Sequence, residues 1–298
     1  MKTLRVSVIV LALAAVLLAA CAPAATPSPT PAPSPTSAPT QSEPTATTAA
    51  AQPEGCLGSA EAALVDLNCR KITIAVENAY PPFNYIATDT GQPGGWDYDV
   101  WREICTLLHC TPVFVEAAWD GLIQAVSLGQ YDVAADGITI TADRKQVVDF
   151  SDGYLQIQQR LLVRKGENRF DSLESFVANN SLILGTQIAT TNYETAAKYL
   201  PETRIKGFEQ FPFAVQALLS GDVDAVIMDE VIGLGYVGEN AEQLELIGPP
   251  ISSDELGFAF PKGSDLVDPV NKAIAALKAN GKLDDYNLKY FGPDFKQP

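Results

Sequence analysis

The stretch "QAVSLGQYDVAADG", residues 124–137, joins a helical apolar pattern to a glycine, an aspartate and a short apolar run. This order predicts a helix that ends at Gly129, a turn at Asp132 and a buried strand. The chain repeats the pattern without gaps in "QALLSGDVDAVIMD", residues 216–229. Local convergence is an alternative explanation, because such helix–strand units are common in α/β proteins. A true repeat predicts two similar lobes.

Segments on both sides of these units alternate between short apolar runs and helical patterns. The runs "KITIAV", "PVFVE", "SLILG" and "DAVIM" predict strands, and the intervening segments predict helices. This order predicts an α/β fold with mostly parallel sheets flanked by helices. Ligands of open α/β sheets bind beyond the carboxyl ends of strands. Gly137 and Asp229, at equivalent strand ends of the repeat, are therefore expected at one shared cleft.

Composition narrows the classes of protein before any site is considered. The 298 residues are 47% hydrophobic, which suffices for the core of one large domain or two modest ones. Asp and Glu number 36 against 20 Lys and Arg, for a formal charge of -16. Such a chain repels polyanions, so nucleic acid is not expected as a partner.

The amino-terminal segment, residues 1–20, predicts an export signal. Lys2 and Arg5 precede an apolar run that is shorter than the roughly 20 residues a membrane-spanning helix needs. The run ends "LLAAC", which resembles the lipobox of bacterial lipoproteins, where the signal is cleaved before a lipidated cysteine. The resemblance implies a lipid on Cys21. An ordinary signal peptide with a chance cysteine is the alternative.

The segment after Cys21 predicts a tether. Residues 22–53 are almost entirely Ala, Pro, Thr and Ser, with too little apolar bulk to offset the entropy of ordering. At about 3.1 Å per residue in a polyproline II conformation, the tether could reach on the order of 100 Å. No later segment reads as a membrane span. We therefore expect an extracytoplasmic protein held at the cell membrane by its lipid.

Cysteine usage agrees with export, because disulfides persist in oxidising compartments. With Cys21 assigned to the lipid, four cysteines remain: Cys56, Cys69, Cys105 and Cys110. Three pairings are possible, and sequence proximity favours first with second and third with fourth. The latter pair can close only if a predicted helix stops near His109, because bridged Cα atoms lie within roughly 7 Å. A metal site is the weaker alternative, since His109 is the only histidine and the spacings match no familiar zinc pattern.

The stretch "ADGITITADRKQ" places groups suited to an anion just past a predicted strand. Gly137 would let a ligand approach the backbone, Thr139 offers a hydroxyl and an amide, and Arg144 offers a planar fork that matches a carboxylate. In the other half, "GTQIATTNYETA" predicts a strand-to-helix turn with outward amides near Thr190 and Thr191. These groups predict a carboxylate site. With Asp229 supplying the opposite charge for an ammonium, the ligand would be an α-amino acid.

These motifs, in this order, resemble the periplasmic amino-acid-binding proteins of ABC importers, family 3 of the extracellular solute-binding proteins. The matching stretches are "YPPFNY", "GWDYDV", "WDGLIQAV", "DGITITADRKQVVDFSDGY", "GTQIATT", "DAVIMDE" and "GFAFPKGS". The resemblance covers residues 71–292 and implies a two-lobed type II periplasmic-binding-protein fold. It implies that Thr139 and Arg144 clamp the ligand carboxylate, that Thr190 and Thr191 add helix amides, and that Asp229 binds the amine.

The resemblance also implies how the ligand side chain is held. Tyr80 and Trp119 match the aromatic walls of the family, Glu77 matches its side-chain reader, and Gln187 joins the expected ligand-binding set. The stretch Ala189-Thr190-Thr191 is a departure, because many members have a glycine there, so the local backbone geometry does not follow from the resemblance.

The family pattern implies lobe 1 at residues 70–156 and 257–298, and lobe 2 at residues 157–256. Two crossings between the lobes would form a hinge, and the closed form would dock on a permease. A monomer without cofactor or metal is expected. The alternative class is an enzyme, since cyclohexadienyl dehydratases resemble this fold. An intact amine ligand at Asp229 argues against a dehydratase substrate, so an enzyme is not expected.

Two acids decide the predicted ligand. Glu77 and Asp136 lie at neighbouring strand ends, and two carboxylates in a closed cleft repel unless a cation neutralises them. A guanidinium stacked between Tyr80 and Trp119 would use both acids, so arginine is favoured over lysine or ornithine. In the alternative, Asp136 turns into a structural hydrogen bond, Glu77 accepts an amide proton, and the ligand is glutamine.

Overall fold

The computed structural model describes residues 55–292 and 295–296. The predicted signal peptide, Cys21 and the predicted tether lie outside these residues. Among the residues described, no helix combines the length and the apolar character needed to cross a membrane.

The strands are short and are distributed along the whole described chain. They are β1 (Lys71–Val76), β2 (Ala79–Tyr80), β3 (Asn84–Ile86), β4 (Pro93–Gly94), β5 (Thr111–Glu116), β6 (Val133–Ala134), β7 (Val148–Phe150), β8 (Leu155–Arg164), β9 (Leu184–Gln187), β10 (Ile205–Phe208), β11 (Ala225–Asp229), β12 (Leu244–Ile247), β13 (Ser253–Leu256) and β14 (Ala259–Pro261).

Most helices follow a strand, as the sequence pattern predicts, but β1–β4, β7–β8 and β12–β14 are successive strands without a helix between them, and the last two helices are also consecutive. They are α1 (Trp96–Leu108), α2 (Leu122–Ser127), α3 (Arg144–Val147), α4 (Leu173–Ala178), α5 (Thr191–Tyr199), α6 (Phe211–Ser220), α7 (Glu230–Glu239), α8 (Val267–Ala279) and α9 (Lys282–Phe291).

The first sheet has the strand order β5-β1-β6-β14-β7. Strand β1 is parallel to β5 and β6, whereas β14 is antiparallel to β6 and β7. The apolar sequence of β1, "KITIAV", ends in three buried residues, as expected for a strand of a parallel sheet covered on both faces. All of its strands fall within residues 70–156 and 257–298, which the resemblance assigns to lobe 1.

The second sheet has the strand order β10-β9-β11-β8-β12, and β13 also pairs with β8. Strand β9 is parallel to β10 and β11, while β8 is antiparallel to β11, β12 and β13. The α/β, two-lobed fold class is thus confirmed. Antiparallel neighbours need no helical crossover between them. The alternation of strands and helices in the sequence therefore predicts the parallel pairs of each sheet but not the antiparallel ones.

The sequence repeat is also a structural repeat. Units α2–β6 and α6–β11 each contain a helix, a glycine at positive φ (71° and 86°), a turn aspartate and a buried strand. Asp132 Oδ2 accepts a hydrogen bond from the amide of Thr73 at 2.8 Å, and Asp224 Oδ2 accepts one from the amide of Ile183 at 2.9 Å. Each aspartate therefore ties its unit to the neighbouring parallel strand in the same way.

Two antiparallel strands connect the sheets. The first residues of β8, from Leu155 to Gln158, pair with β13 from Leu256 to Ser253, and the later residues of β8 pair within the second sheet. Strand β13 leads directly into β14 of the first sheet. These connections fall where the resemblance implies two crossings, and their hinge function stays a prediction.

The structure contains the two disulfides that sequence proximity favours, Cys56–Cys69 and Cys105–Cys110. Helix α1 ends at Leu108, and His109 follows in the left-handed region at φ 50°. This turn brings the Cα atoms of Cys105 and Cys110 to 4.6 Å. The helix therefore stops where the second disulfide requires it to stop.

Candidate ligand-binding site

A cavity of about 300 Å³ lies between the two sheets. It is lined by Glu77, Tyr80, Trp119, Asp136, Gly137, Thr139, Arg144, Gln187, Thr190, Thr191, Asn192, Phe211 and Asp229. All eleven residues predicted from the sequence line this cavity. Asn192 and Phe211 line it as well and were not predicted.

The lining residues lie where strands end and helices begin. Glu77 follows β1, Gly137 and Thr139 follow β6, and Asp229 is the last residue of β11. Arg144 opens α3, and its amide donates to Thr141 Oγ1 at 3.1 Å. The carboxyl ends of strands from both sheets thus face one cavity, which is the geometry expected of ligand sites in α/β folds.

Three hydrogen bonds cross the cavity from one lobe to the other. The Tyr80 hydroxyl donates to Asp229 Oδ2 at 2.6 Å, and Gln187 Nε2 donates to Glu77 Oε1 at 2.7 Å. The hydroxyls of Thr139 and Thr191 lie 3.3 Å apart. Each of these bonds joins a residue of one lobe to a residue of the other lobe. The structure therefore represents a closed arrangement of the cleft.

Gly137 has a positive φ of 55°, and a Cβ atom there would lie 2.9 Å from a ring carbon of Tyr80. A side chain at this position would therefore displace the ring that reaches across to Asp229. The sequence argument assigned this glycine to a close approach by the ligand, and the structure adds a close approach by Tyr80.

Arg144 is a cation that forms no salt bridge within the part of the chain that the structure describes. Its Nη1 donates to the carbonyl of Thr139 at 2.8 Å, and its Cζ lies 5.3 Å from the centroid of the Trp119 ring. Among residues 55–292 and 295–296, no acid forms a salt bridge with it, and burial lowers the pKa of its guanidinium. A partly desolvated guanidinium with free donors is suited to a carboxylate.

Helix α5 supplies donors from the second lobe. Thr190 is its N-cap, and the Thr190 Oγ1 accepts from the amide of Tyr193 at 3.1 Å and donates to the carbonyl of Gln187 at 2.7 Å. The first amides of a helix have no partner within the helix. Ala189 keeps the turn before them at φ 58°, a conformation that is uncommon for a residue with a Cβ atom. The departure at Ala189 therefore leaves the turn intact at some cost in strain.

Asp229 is buried and has two protein donors. Tyr80 donates to its Oδ2, and Asn192 Nδ2 donates to its Oδ1 at 3.2 Å. Burial raises the pKa of Asp229 to about 6, against the lowering effect of these hydrogen bonds. At neutral pH it is the anion that balances Arg144 across the cavity.

Glu77 and Asp136 are both buried, with 4% and 2% of their surface exposed. Burial, followed by repulsion from Asp136, raises the pKa of Glu77 to about 9, and burial raises the pKa of Asp136 to about 7. Asn84 Nδ2 donates to Asp136 Oδ1 at 2.6 Å and to Asp97 Oδ2 at 2.9 Å. Asp136 Oδ2 has no hydrogen-bond partner among the residues that the structure describes. This part of the cavity therefore has acceptor capacity that the described residues leave unused, and its two carboxyl groups favour their protonated forms unless a cation is present.

The aromatic residues lie in two places. Tyr80 stacks on Phe211, with ring centroids 5.4 Å apart, and Trp119 lies beneath the Arg144 guanidinium. Phe211 is the first residue of α6, and Asn192 follows Thr191 in α5. Both are at helix starts in the second lobe. Applying the strand-end and helix-start argument to every helix of that lobe would have found them.

Two lobes that close over a polar cavity at their strand ends define a solute-binding protein. Residues 72–293 match the sequence model of the bacterial extracellular solute-binding proteins, family 3. The chain belongs to this family, and the resemblance noted in the sequence is confirmed.

Two curated relatives illustrate the family. The L-arginine-binding protein of Pseudomonas aeruginosa is 30% identical over 233 residues, which are 76% of this chain and 89% of the relative. The L-cystine-binding protein TcyA of Bacillus subtilis is 30% identical over 228 residues, which are 75% of this chain and 82% of the relative. Both relatives are amino-acid-binding proteins.

Solved structures agree in fold. An ancestral arginine-binding protein is 33% identical, and the match covers 74% of this chain and 98% of that one, with a TM-score of 0.70 bound to arginine and 0.69 bound to glutamine. The ancestral amino-acid-binding protein AncCDT-1, a precursor of cyclohexadienyl dehydratase, is 30% identical with a TM-score of 0.69, over 74% of this chain and 95% of that one.

Proposed function

We propose that this protein captures a basic amino acid, with arginine favoured over lysine and ornithine, between its two lobes and delivers it to the permease of an ABC importer. A lipid on Cys21 anchors the protein to the cell membrane on its extracytoplasmic side. Residues 22–53 form the spacer between this anchor and the binding lobes, and the protein acts as a monomer. Relatives and solved structures that bind amino acids, arginine among them, support this proposal.

One end of the cavity fits the part that all α-amino acids share. The Arg144 guanidinium and the first amides of α5 receive the carboxylate, and Asp229 receives the ammonium. Asp229 already accepts two hydrogen bonds, and a carboxylate has about four acceptor positions, so it can accept from an ammonium as well.

The observation that carries the choice of a basic ligand is the pair of buried acids, Glu77 and Asp136. Gln187 occupies one oxygen of Glu77, and Asn84 occupies one oxygen of Asp136. One carboxylate oxygen of each acid is left for the ligand. A guanidinium presents parallel N–H groups to two such acceptors and neutralises their charge.

Closure and ligand charge are coupled in this proposal. Bringing the lobes together desolvates both acids, which favours protonation or a bound cation. A cationic side chain therefore stabilises the closed form more than the open one, which is the condition for a ligand to shift the equilibrium between them. The bonds Tyr80–Asp229 and Gln187–Glu77 form only on closure and add to the same shift.

Glutamine is the second candidate. Asp136 does make the structural hydrogen bond with Asn84 that this alternative requires. If Asp136 also keeps its proton, Glu77 alone would face the ligand and accept from a side-chain amide. The solved ancestral protein that binds arginine also binds glutamine, so one cleft of this fold accepts both.

Calorimetric titration of the purified protein with arginine, lysine, ornithine and glutamine at neutral pH tests the proposal. We expect arginine to bind most tightly. Tighter binding of glutamine than of arginine would overturn the basic-ligand assignment and leave the amino-acid function intact. Absence of heat with every amino acid would overturn the function itself.

The anchor is tested separately. Detergent-phase partitioning should place the mature protein with the membrane fraction, and Cys21→Ser should shed it or leave it uncleaved. Unchanged membrane association of the Cys21→Ser variant would contradict the lipid anchor.

A further inference from the structure

A second cluster of reactive groups lies outside the ligand cavity, at the Cys56–Cys69 disulfide. His109 Nε2 lies 3.2 Å from Cys69 Sγ, and His109 Nδ1 lies 2.7 Å from Asp66 Oδ1. None of these four residues lines the ligand cavity. The imidazole of His109 therefore lies between the sulfur of Cys69 and the carboxylate of Asp66.

Backbone hydrogen bonds hold the cluster in place. The amides of Leu64, Leu67 and Cys69 donate to carbonyls in the last turn and cap of α1 at 2.9 Å each. His109 caps that helix in the left-handed conformation, which directs its ring to the segment that carries Asp66 and Cys69. The imidazole is therefore fixed between the carboxylate and the sulfur by the helix end.

The hydrogen bond to Asp66 sets the tautomer of His109. An ionised carboxylate only accepts, so Nδ1 carries a proton and donates it to Asp66. The pKa of Asp66 is lowered by the Asn68 amide and then by His109, which keeps it ionised. Nε2 then faces the sulfur, where it can hold or release a proton. A sulfur with a proton-transfer partner that is itself oriented by a third group is the arrangement of activated cysteines.

The other disulfide, Cys105–Cys110, is not accessible to solvent, and the structure shows no imidazole in hydrogen-bond contact with its sulfur atoms among the described residues. Cys105 and Cys110 are fully buried, whereas Cys69 is exposed. Arg70, the charged residue next to Cys69, is occupied by Asp265 at 2.8 Å and Asp132 at 3.5 Å. His109 is thus the group placed to act on the exposed sulfur.

We propose that Cys56–Cys69 is a thiol–disulfide exchange site, with Cys69 as the leaving thiolate, His109 as its proton partner and Asp66 as a positioning residue. The substrate class is a small extracytoplasmic dithiol. One thiolate of the dithiol attacks Cys56 Sγ, the Cys56–Cys69 bond breaks, and its electron pair goes to Cys69 Sγ, which lies 3.2 Å from His109 Nε2. The second thiol then attacks the mixed disulfide, releases Cys56 and leaves as the oxidised cyclic disulfide. Two electrons and two protons pass from the dithiol to the protein.

The first test follows reduction by limiting dithiothreitol at several pH values, with each disulfide quantified by peptide mass spectrometry. The variant is His109→Asn, because asparagine tolerates the positive φ at this position. At neutral pH we expect Cys56–Cys69 to be reduced about tenfold more slowly in the variant, since a less stabilised thiolate leaves more slowly. Cys105–Cys110 serves as the internal control and should be unchanged.

The second test uses the fully reduced protein and compares alkylation of Cys69 and Cys56 as a function of pH. We expect Cys69 to titrate about one pKa unit below Cys56, and the difference to vanish in His109→Asn. Asp66→Asn, which keeps an acceptor for the Asn68 amide, should give an intermediate profile. Thermal melting and arginine titration check that each variant is folded. Equal profiles for Cys69 and Cys56 in the wild type, or an unchanged reduction rate in His109→Asn, would overturn the proposal.

Discussion

The two ends of the ligand cavity are built on different electrostatic principles. At the head-group end, Arg144 and Asp229 supply one charge of each sign, so a zwitterionic head group adds no net charge. At the acidic end, Glu77 and Asp136 have the same sign, and neither has a salt-bridge partner among the residues described. In the proposed function, the head-group end recognises what amino acids share, and the acidic end discriminates between their side chains.

The largest effect is expected from removing the head-group cation. Arg144→Met should weaken the binding of arginine and of glutamine by at least about a hundredfold, because breaking a desolvated charge pair costs roughly 3–5 kcal/mol. Calorimetry measures both ligands, and Lys272→Met, at an exposed lysine, is the control. Retained affinity in a folded Arg144→Met protein would show that the guanidinium has only a structural role.

A smaller and selective effect is expected at the acidic end. Glu77→Gln should weaken arginine binding by about 10- to 100-fold, in line with roughly 1.5–3 kcal/mol for a hydrogen bond to a charged group. Glutamine binding should change by less than about threefold, because the new amide oxygen can still accept. Glu61→Gln, at an exposed glutamate, is the control. Equal losses for both ligands would mean that the two ends do not divide recognition as described.

The same comparison predicts a pH dependence for the basic ligand alone. In the ligand-free closed cleft the pKa of Glu77 is raised to about 9, and a cation stabilises the ionised form and lowers this pKa. Arginine binding therefore releases protons, and its affinity should rise with pH between about 5 and 9, by at most about tenfold per pH unit for each proton released. Calorimetric titrations in two buffers of different ionisation enthalpy measure the number of protons released on binding. A similar pH profile for glutamine would contradict this account.

The smallest effect is expected from the hydrogen bond that joins the lobes at the head-group end. Tyr80→Phe keeps the ring that packs on Phe211 and removes the donor to Asp229. A net loss of about 0.5–1.5 kcal/mol corresponds to about two- to tenfold weaker binding of every amino acid. Tyr199→Phe, at a tyrosine that is 52% exposed, is the control. A selective loss of arginine would assign Tyr80 to the acidic end instead.

Part of the cavity could be predicted because the repeat indicates which strands end at the same edge, whereas Glu77, Tyr80 and Trp119 were predicted through the family resemblance. Gly137 and Asp229 occupy equivalent positions in the two units, Arg144 begins the helix that follows β6, and Thr191 begins the helix that follows β9. The stop of α1 at His109 followed from the short spacing of two cysteines.

Other features depend on contacts that no local pattern encodes. Phe211 lies 131 residues after Tyr80 in sequence yet stacks on its ring, and the bond from Gln187 to Glu77 spans 110 residues. The position of Trp119 beneath Arg144 is likewise set by how α3 packs after β6. The pairs Tyr80–Phe211 and Glu77–Gln187 are determined by closure of the two lobes, and the pair Trp119–Arg144 by packing within one lobe, and sequence periodicity describes neither.

The position of β14 affects the order in which the lobes can be completed during synthesis and export. This strand lies between β6 and β7, so the first sheet keeps a gap until residues 259–261 are available. The second sheet uses only strands β8 to β13, which are contiguous in sequence. The second sheet, although synthesised later, can therefore complete its hydrogen bonds before the first sheet does. The first sheet is completed only when β14 inserts between β6 and β7.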